Sequence, residues 1–391
     1  MTADIRAARP EDAEAVLEIL CLAFGLDTEA ARPIFYSDPY YDLSHKRVSA
    51  LPGVGPVSCL TVVPTQLRIG GTVLPAAGVA GVATRPAFQR RGYAAALLAA
   101  TVPALYSEMA FPVALLHPVS APFYRRFGWE LASRSVRWLA APASLPPHAE
   151  AACVRPAQDR DWPAIAALFD AETGGGTGSF ARDTRRWQIV RLPVPNRDTF
   201  VYEQSGRVTG YGITERHDVL HLLEIVGGTA DARRGLLGFL ACRPDALLEW
   251  SASPALLERF GLSWAGLSAD PGVMLRLVDL EAALSVLHPG HFAPVLGEQG
   301  AALTLFADDD LCPRNTRPLR LTSAGVSPAA GTSGPWLRAD IRVLARLYLG
   351  DLLPSEAADA EALFVDDPQT LLLADRLFPR REPYVAPLDQ F

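Results

Sequence analysis

Two arginines and a glycine, Arg90-Arg91-Gly92, stand where an apolar run from Gly78 to Thr84 gives way to an Ala- and Leu-rich run from Ala94 to Ala100. The order reads as strand, turn and helix start. Such a turn gathers unpaired backbone N–H groups, the positive end of a helix dipole and two guanidinium groups in one place. The chemistry that suits it is the binding of a pyrophosphate. A solvated basic turn is the plain alternative, because short glycine motifs recur by chance. Further on, Phe111 to His117 reads as a buried strand, followed by Ser120-Ala-Pro-Phe-Tyr124-Arg-Arg-Phe-Gly128-Trp129. That stretch reads as a short helix ended by a left-handed glycine, with Trp129 starting the next strand.

The elements that must position these residues belong to a chain of 391 residues, long enough for two or three domains. Hydrophobic residues make up 49%, with no apolar run of membrane-spanning length, so neither a membrane span nor a membrane partner is expected. The opening Met-Thr-Ala-Asp-Ile-Arg has neither a basic nor an apolar leader region, which argues for a cytoplasmic location. Cys21, Cys59, Cys153, Cys242 and Cys312 lie far apart, without metal-ligand spacing, and read as reduced thiols. No metal is expected. Lys46 is the only lysine, and the Arg, Ala, Leu and Pro usage suggests a GC-rich bacterial genome. The net charge of -7 disfavours nucleic acid as a partner and suits a cationic substrate.

A weak repeat runs through the first two thirds. Ile5-Arg6 and Val154-Arg155 each begin a short strand, and Asp12, Ala15, Val16 and Ile19 have counterparts in Asp161, Ala164, Ile165 and Leu168 at one constant spacing. Pro10 and Pro163 fall in the first turn of the helices that follow. Arg233-Arg234-Gly235 echoes Arg90-Arg91-Gly92, again after an apolar strand, Leu222 to Val226. Ala232 stands where the first copy has Gln89, and no F-Y-x-x-x-G-W follows, so the second copy is expected to have lost its site. The Pro-rich stretch from Ala140 to His148 joins the copies. Beyond Pro289 the pattern changes to strands at Ala301 to Phe306 and Leu319 to Thr322, then an amphipathic helix from Asp340 to Leu349 stopped by Gly350. The tail from Leu371 to Phe391 is too apolar for a disordered segment and is expected to be tied down. The resulting fold class is α/β (mixed α+β), with domains at 1–140, 150–285 and 290–391.

Gln89, Gly92 and Ala94 fit the Q/R-x-x-G-x-G/A signature of the GCN5-related N-acetyltransferases, and Phe123-Tyr124 with Gly128-Trp129 resembles that family's F-Y-x-x-x-G-F/W element. Two tandem GNAT-like domains, the second degenerate, followed by a small sterol-carrier-protein-like domain ending in Phe391, resemble the enhanced intracellular survival (Eis) family. Met274 to Leu280 looks like that family's junction into its last domain. The resemblance implies acetyl-CoA as co-substrate, an amine as acceptor, and a homo-oligomer, since members form hexamers.

It also implies roles for residues. Tyr124 takes the place of the general acid, and a phenol near pKa ~10 holds its proton at neutral pH. The α-carboxyl of Phe391 takes the place of the general base. Val82, Ala83 and Thr84 are expected along the pantetheine arm and the oxyanion, with Gln89, Arg90, Arg91, Gly92, Tyr93, Ala94 and Ala95 around the pyrophosphate. Val119 and Ser120 are expected on the CoA arm. His117 sits where the family has a histidine near the substrate, and Asp27 and Glu29 are candidate carboxylates for an ammonium group. Pro118, Pro122 and the Arg125-Arg126 pair differ from the family and leave aminoglycosides, polyamines, lysine side chains and small alkylamines all open as acceptors. The rival reading is a non-catalytic acyl-CoA or lipid-binding protein that uses its last domain.

Overall fold

The computed structural model describes residues 3–133, 135–262, 268–270, 272–331 and 334–391. The first block runs β1 (Asp4–Ala7), α1 (Ala13–Phe24), α2 (Thr28–Ser37), β2 (Lys46–Leu51), β3 (Gly55–Ile69), β4 (Thr72–Thr84) and α3 (Tyr93–Ser107). It continues through β5 (Val113–Leu116), α4 (Ala121–Arg125), β6 (Glu130–Leu131) and β7 (Ser135–Ala140). The second block runs β8 (Val154–Pro156), α5 (Trp162–Thr173), β9 (Thr177–Phe180), α6 (Thr184–Val190), β10 (Arg197–Gln204), β11 (Arg207–Arg216) and β12 (Leu220–Gly227). There follow α7 (Ala230–Ala241), β13 (Leu248–Ala252), α8 (Pro254–Arg259), β14 (Ser268–Asp270) and β15 (Met274–Leu277).

The repeat seen in the sequence holds at the level of hydrogen bonds. Arg6 donates to the buried Asp12 at 2.6 Å, and the Asp12 carboxylate accepts from the Arg9 amide at 2.8 Å. Arg155 donates to the buried Asp161 at 2.6 Å, and Asp161 accepts from the Gln158 amide at 2.8 Å. In each copy one carboxylate therefore ties the first strand to the helix start, by charge-assisted bonds that are stronger than neutral ones. The echo at Arg233 is placed differently from the expectation. Arg233-Arg234-Gly235 lies inside α7, whose N-cap is Thr229, whereas Arg90 and Arg91 precede α3. Arginine and alanine are good helix formers, so the same letters sit comfortably one turn further in.

Two strands cross the expected boundaries. β7, from the end of the first block, pairs with β13 in the second sheet, and β15, from the end of the second, pairs with β5 and β6 in the first. The sheets therefore read β1-β2-β3-β4-β5-β15-β6, with β9 added on β3, and β14-β7-β13-β12-β11-β10-β8. All four residues of β15 are buried, so Met274 to Leu277 completes the first sheet. Arg276, in the middle of β15, is fully buried and donates to both carboxylate oxygens of Asp309 at 2.7 Å. Its guanidinium lies where a Cβ on Gly128 would stand, 2.6 Å away, and Gly128 also has φ +82°. Both facts demand glycine at the end of the F-Y-R-R-F-G segment.

The third block runs α9 (Leu280–Leu287), α10 (Ala293–Gln299), β16 (Leu303–Asp308), β17 (Leu319–Thr322), β18 (Gly325–Pro328) and β19 (Trp336–Asp340). It ends with α11 (Ile341–Leu349), α12 (Pro354–Asp359), β20 (Leu363–Val365) and α13 (Pro368–Leu377). Its five strands are ordered β18-β17-β16-β19-β20. Ile341, Leu344, Ala345 and Tyr348 bury one face of α11, and the helix stops at Gly350 with φ +77°. Leu67, Leu74, Val113 and Leu275 of the first sheet share one apolar core with Leu305, Leu337 and Leu344 of this domain. Among the described residues no helix is long and apolar enough to cross a membrane.

Candidate active site

The first sheet is parted at its middle. β4 runs parallel to β5 only from Ala76 to Gly78, opposite Val113 to Leu115, and the two strands then diverge. On its other side β4 carries a bulge. Ala80 pairs with Thr61 and Ala83 with Cys59, so Gly81 and Val82 stand opposite Leu60 without ladder partners. Gly81 takes φ +57°, which frees the backbone around Val82 from the regular pleat. Ala83 and Thr84 remain tied to β3, with the Ser58 hydroxyl donating to the Ala83 carbonyl at 2.8 Å. A strand with free backbone groups beside an open slot is suited to an extended ligand added as a further strand.

The basic turn lies at the end of β4. Arg90 and Gly92 both adopt left-handed backbone, φ +60° and +86°, and Gly92 is the N-cap of α3. No side chain caps that helix, and a Cβ on Gly92 would meet nothing within 4 Å. The first amides of α3, on Tyr93, Ala94 and Ala95, are thus turned toward open space. Arg90 and Arg91 are exposed and form no ion pair among the described residues, Arg91 lying over the Phe88 ring at 5.4 Å. Gln89 instead braces the turn, its amide donating to the Thr84 carbonyl at 3.4 Å.

Two aromatic groups reach the slot from opposite faces of the sheet. Tyr124, on α4, packs in the core with Ala77, Ala114 and Leu116, its ring 6.3 Å from Trp129 and 5.1 Å from Phe123. Among the described residues nothing hydrogen-bonds its hydroxyl, and burial raises the phenol above its ordinary pKa. Phe391 packs on the face that carries Ala76, Val113 and Leu115. Its ring stacks on Phe180 at 6.0 Å and meets His117 edge-on at 5.7 Å. Three of its ring atoms lie within 2.9 Å of where a Cβ on Gly78 would be, so the point at which the strands part is shaped to the last residue. Gly78→Val is expected to push the tail out of the slot, read as a loss of turnover and faster carboxypeptidase trimming.

The tail is held by charge. Arg182 is fully buried and donates to Asp389 at 2.8 Å and to Glu224 at 3.0 Å, while the Asp389 side chain is itself 0% exposed. Tyr211 donates to the same Glu224 at 2.7 Å. Arg186 donates to the carbonyls of Leu388 and Gln390 at 2.8 and 3.0 Å. The three residues before Phe391 are thereby fixed by two arginines from the second block.

Residues 4–132 match the family model of the acetyltransferase (GNAT) domain, and residues 292–386 that of the sterol carrier protein domain. The chain carries an acetyltransferase domain. The GCN5-related N-acetyltransferase from Anabaena variabilis is similar over 100% of both chains, with a TM-score of 0.82 at 24% identity. That from Kribbella flavida has a TM-score of 0.81 at 21% identity, over 100% of this chain and 99% of its own. Eis1 from Mycobacterium abscessus has a TM-score of 0.75 at 22% identity, over 99% and 100% of the two chains. At these identities the likeness is one of fold. No curated protein matches the sequence.

Val82, the turn from Gln89 to Ala95, Tyr124 and His117 of the acetyltransferase domain lie along β4 and the strands and helices beside it, and Phe391 comes to His117 and Gly78 from the tail. Val119 is 96% exposed, and Ser120 is the N-cap of α4 without a side-chain capping bond. Asp27 caps α2 by accepting from the Ala30 amide at 2.8 Å, and lines an apolar groove of about 310 Å³ with Leu20, Leu26, Ile34 and Phe35. Leu20 also reaches within 2.8 Å of where a Cβ on Gly81 would be, so the groove adjoins the bulge. Glu29 is exposed, paired with Arg32, and does not line that groove.

The second sheet repeats the geometry without the tyrosine. β12 runs parallel to β13 only from Leu220 to Leu222, and the helix after β13 begins Ser253-Pro-Ala-Leu-Leu257-Glu-Arg-Phe-Gly261. This is the counterpart of Ser120 to Gly128, and Gly261 is again left-handed, at φ +67°. No F-Y-x-x-x-G-W follows, as the sequence reads, but a helix and a glycine at the same spacing stand there, with the fully buried Leu257 at the place of Tyr124. A leucine has no proton to give. Arg182, Arg186, Asp389 and Gly78 also escaped the sequence reading. The one available signal was an acid, Asp389, directly after the apolar run from Pro383 to Leu388.

Proposed function

We propose that the chain is an acetyl-CoA-dependent N-acetyltransferase acting on a small cationic amine by direct transfer. In this reading the pyrophosphate lies on the amides of Tyr93 to Ala95 with Arg90 and Arg91, and the pantetheine arm runs along Val82. The neutral amine nitrogen attacks the thioester carbonyl, whose oxygen becomes an oxyanion near the free backbone of β4. Phe391 supplies a carboxylate that accepts the amine proton, and Tyr124 gives its proton to the departing thiolate. Atoms balance: one C–S bond breaks, one C–N bond forms, and the products are the amide and the free thiol. The observation that carries the reading is the last residue, seated where β4 and β5 part and fixed there by Arg182 and Arg186.

Asp27 is the favoured contact for the ammonium group, since it borders an apolar groove that opens at the bulge. A homo-oligomer remains part of this proposal, as do domains at 1–140, 150–285 and 290–391, with β7 and β15 exchanged between the first two. The deciding assay is thiol release from acetyl-CoA by the untagged protein with aminoglycosides, polyamines and lysine peptides, beside a form extended by several residues past Phe391. Turnover is expected to fall at least a hundredfold on extension. Turnover that ignores the extension would remove Phe391 from the mechanism. Acetyl-CoA binding without turnover on any amine would favour the acyl-CoA sensor or carrier.

A further inference from the structure

The parting of β12 and β13 in the second sheet opens into a cavity of about 430 Å³, within the usual range for small-molecule sites of about 300–1,000 Å³. Glu224, Ile225 and Val226 line it from β12 beyond the last parallel pair, and Trp250 and Leu256 from β13 and α8. The tail residues Arg381 to Ala386 cross one side, where the Tyr384 amide donates to the Thr177 carbonyl at 3.0 Å and its hydroxyl to the Ser251 carbonyl at 2.7 Å. The cavity thus occupies the place in the second copy that the slot occupies in the first.

A coenzyme A molecule does not fit this copy. Thr229 caps α7 by accepting from the Ala232 amide at 3.1 Å. The Arg233 side chain folds back over Gly227, its Cγ 2.3 Å from where a Cβ would be, and donates to the Gly227 carbonyl at 2.9 Å. The helix start that would cradle a pyrophosphate is therefore filled by the chain's own groups. The pocket between the strands remains open while the phosphate site is closed, which selects a compact ligand without a nucleotide.

The charges around the cavity set its sign. Glu224 is committed to Arg182 and Tyr211, and Glu172 is paired with Arg259. Glu382 is exposed. Arg381 is the exception. It is part-buried, and no carboxylate pairs with it among the described residues. Its guanidinium donates to His291 Nδ1 at 2.9 Å, and His291 in turn faces the Ile69 carbonyl through Nε2 at 3.1 Å. Since an arginine only donates, Nδ1 must be the accepting nitrogen and the imidazole neutral, so the histidine brings no counter-charge. Burial lowers the pKa of Arg381, the mark of a cation that has lost water without gaining an anion.

We propose that this cavity binds a carboxylic acid with a medium-length apolar body, the carboxylate on Arg381 and the body against Trp250, Ile225 and Leu256. A bidentate carboxylate would meet the planar fork of the guanidinium and supply the missing counter-charge. The ligand is distinct from the acyl-CoA and amine of the first copy, and its binding does not depend on turnover.

The test is calorimetric titration of the full-length, untagged protein with octanoate and with octylamine, using the unaltered chain, Arg381→Met, Arg381→Lys and Ala255→Trp. Octanoate is expected to bind one to one, at least tenfold tighter than octylamine. Arg381→Met is expected to weaken octanoate at least tenfold, with Arg381→Lys falling between. Ala255→Trp leaves the arginine in place but fills the mouth of the cavity, and is expected to abolish binding. If Arg381→Met fails to fold, Ala255→Trp and the octanoate–octylamine comparison on the unaltered chain still decide. No octanoate binding, equal binding of the amine, or binding indifferent to Ala255→Trp would each overturn the proposal.

Discussion

Tyr124→Phe is expected to lower kcat by about 10²- to 10⁴-fold, the scale of a positioned general acid, with acetyl-CoA affinity unchanged. The substitution keeps the ring that packs on Trp129 and Phe123, so the fold is preserved and only the proton is lost. The raised pKa adds a signature in pH. A phenol in water ionises near ~10 and would cease to be an acid there. Burial shifts Tyr124 upward, so the protonated, active form persists above that value, and the alkaline fall in kcat is displaced upward. The check is the pH profile of kcat for both forms, with acetyl-CoA binding measured alongside. A phenylalanine variant with full kcat would make Tyr124 a packing residue.

Arg182→Met is expected to cost about 3–5 kcal/mol, because it leaves two carboxylates in a buried site with their main partner gone. Arg182 and Asp389 are both fully buried, and Glu224 is nearly so, so water cannot screen the loss. Arg186, with a longer bond to Asp389 at 3.4 Å, is a weaker substitute. The effect should appear as a lower unfolding midpoint and a tail open to carboxypeptidase. Asp389→Asn isolates the role of the clamp in catalysis. It keeps the shape of the side chain but weakens its hold on Arg182, and kcat should fall with a small loss of global stability. A variant with a loosened tail and undiminished kcat would separate Phe391 from the chemistry.

The parts of this site that could be read in the sequence are those built from neighbouring residues. The turn from Gln89 to Ala95 and the segment from Ser120 to Trp129 each combine a strand end, a helix start and a glycine whose backbone demand is local. The parts that could not be read depend on long-range pairing. Nothing in Ser135 to Ala140 says that its partner is β13 and not the strand beside it in the chain. Trp138 and Leu139 would suit either sheet. The second copy was misread at Arg233 because its shorter loops shift the spacing between copies along the chain, which carried the comparison past the helix start. Its Ser253 to Gly261 segment was missed because leucines replace the Phe-Tyr pair that defines the motif. The role of Asp389 needed the position of Arg182, a residue more than half the chain away.

The exchange of β7 and β15 has a consequence for how the molecule is made. As the chain leaves the ribosome, β5 emerges early, with four buried apolar residues and only β4 for a neighbour. Its other edge has no strand to pair with until Met274 to Leu277 has been synthesised. During that interval the growing polypeptide presents an unprotected hydrophobic edge, the kind of surface that invites aggregation or a chaperone. Sequential maturation, one domain completed before the next begins, is closed to this protein. The first sheet is completed only when the last strand of the second block has been made.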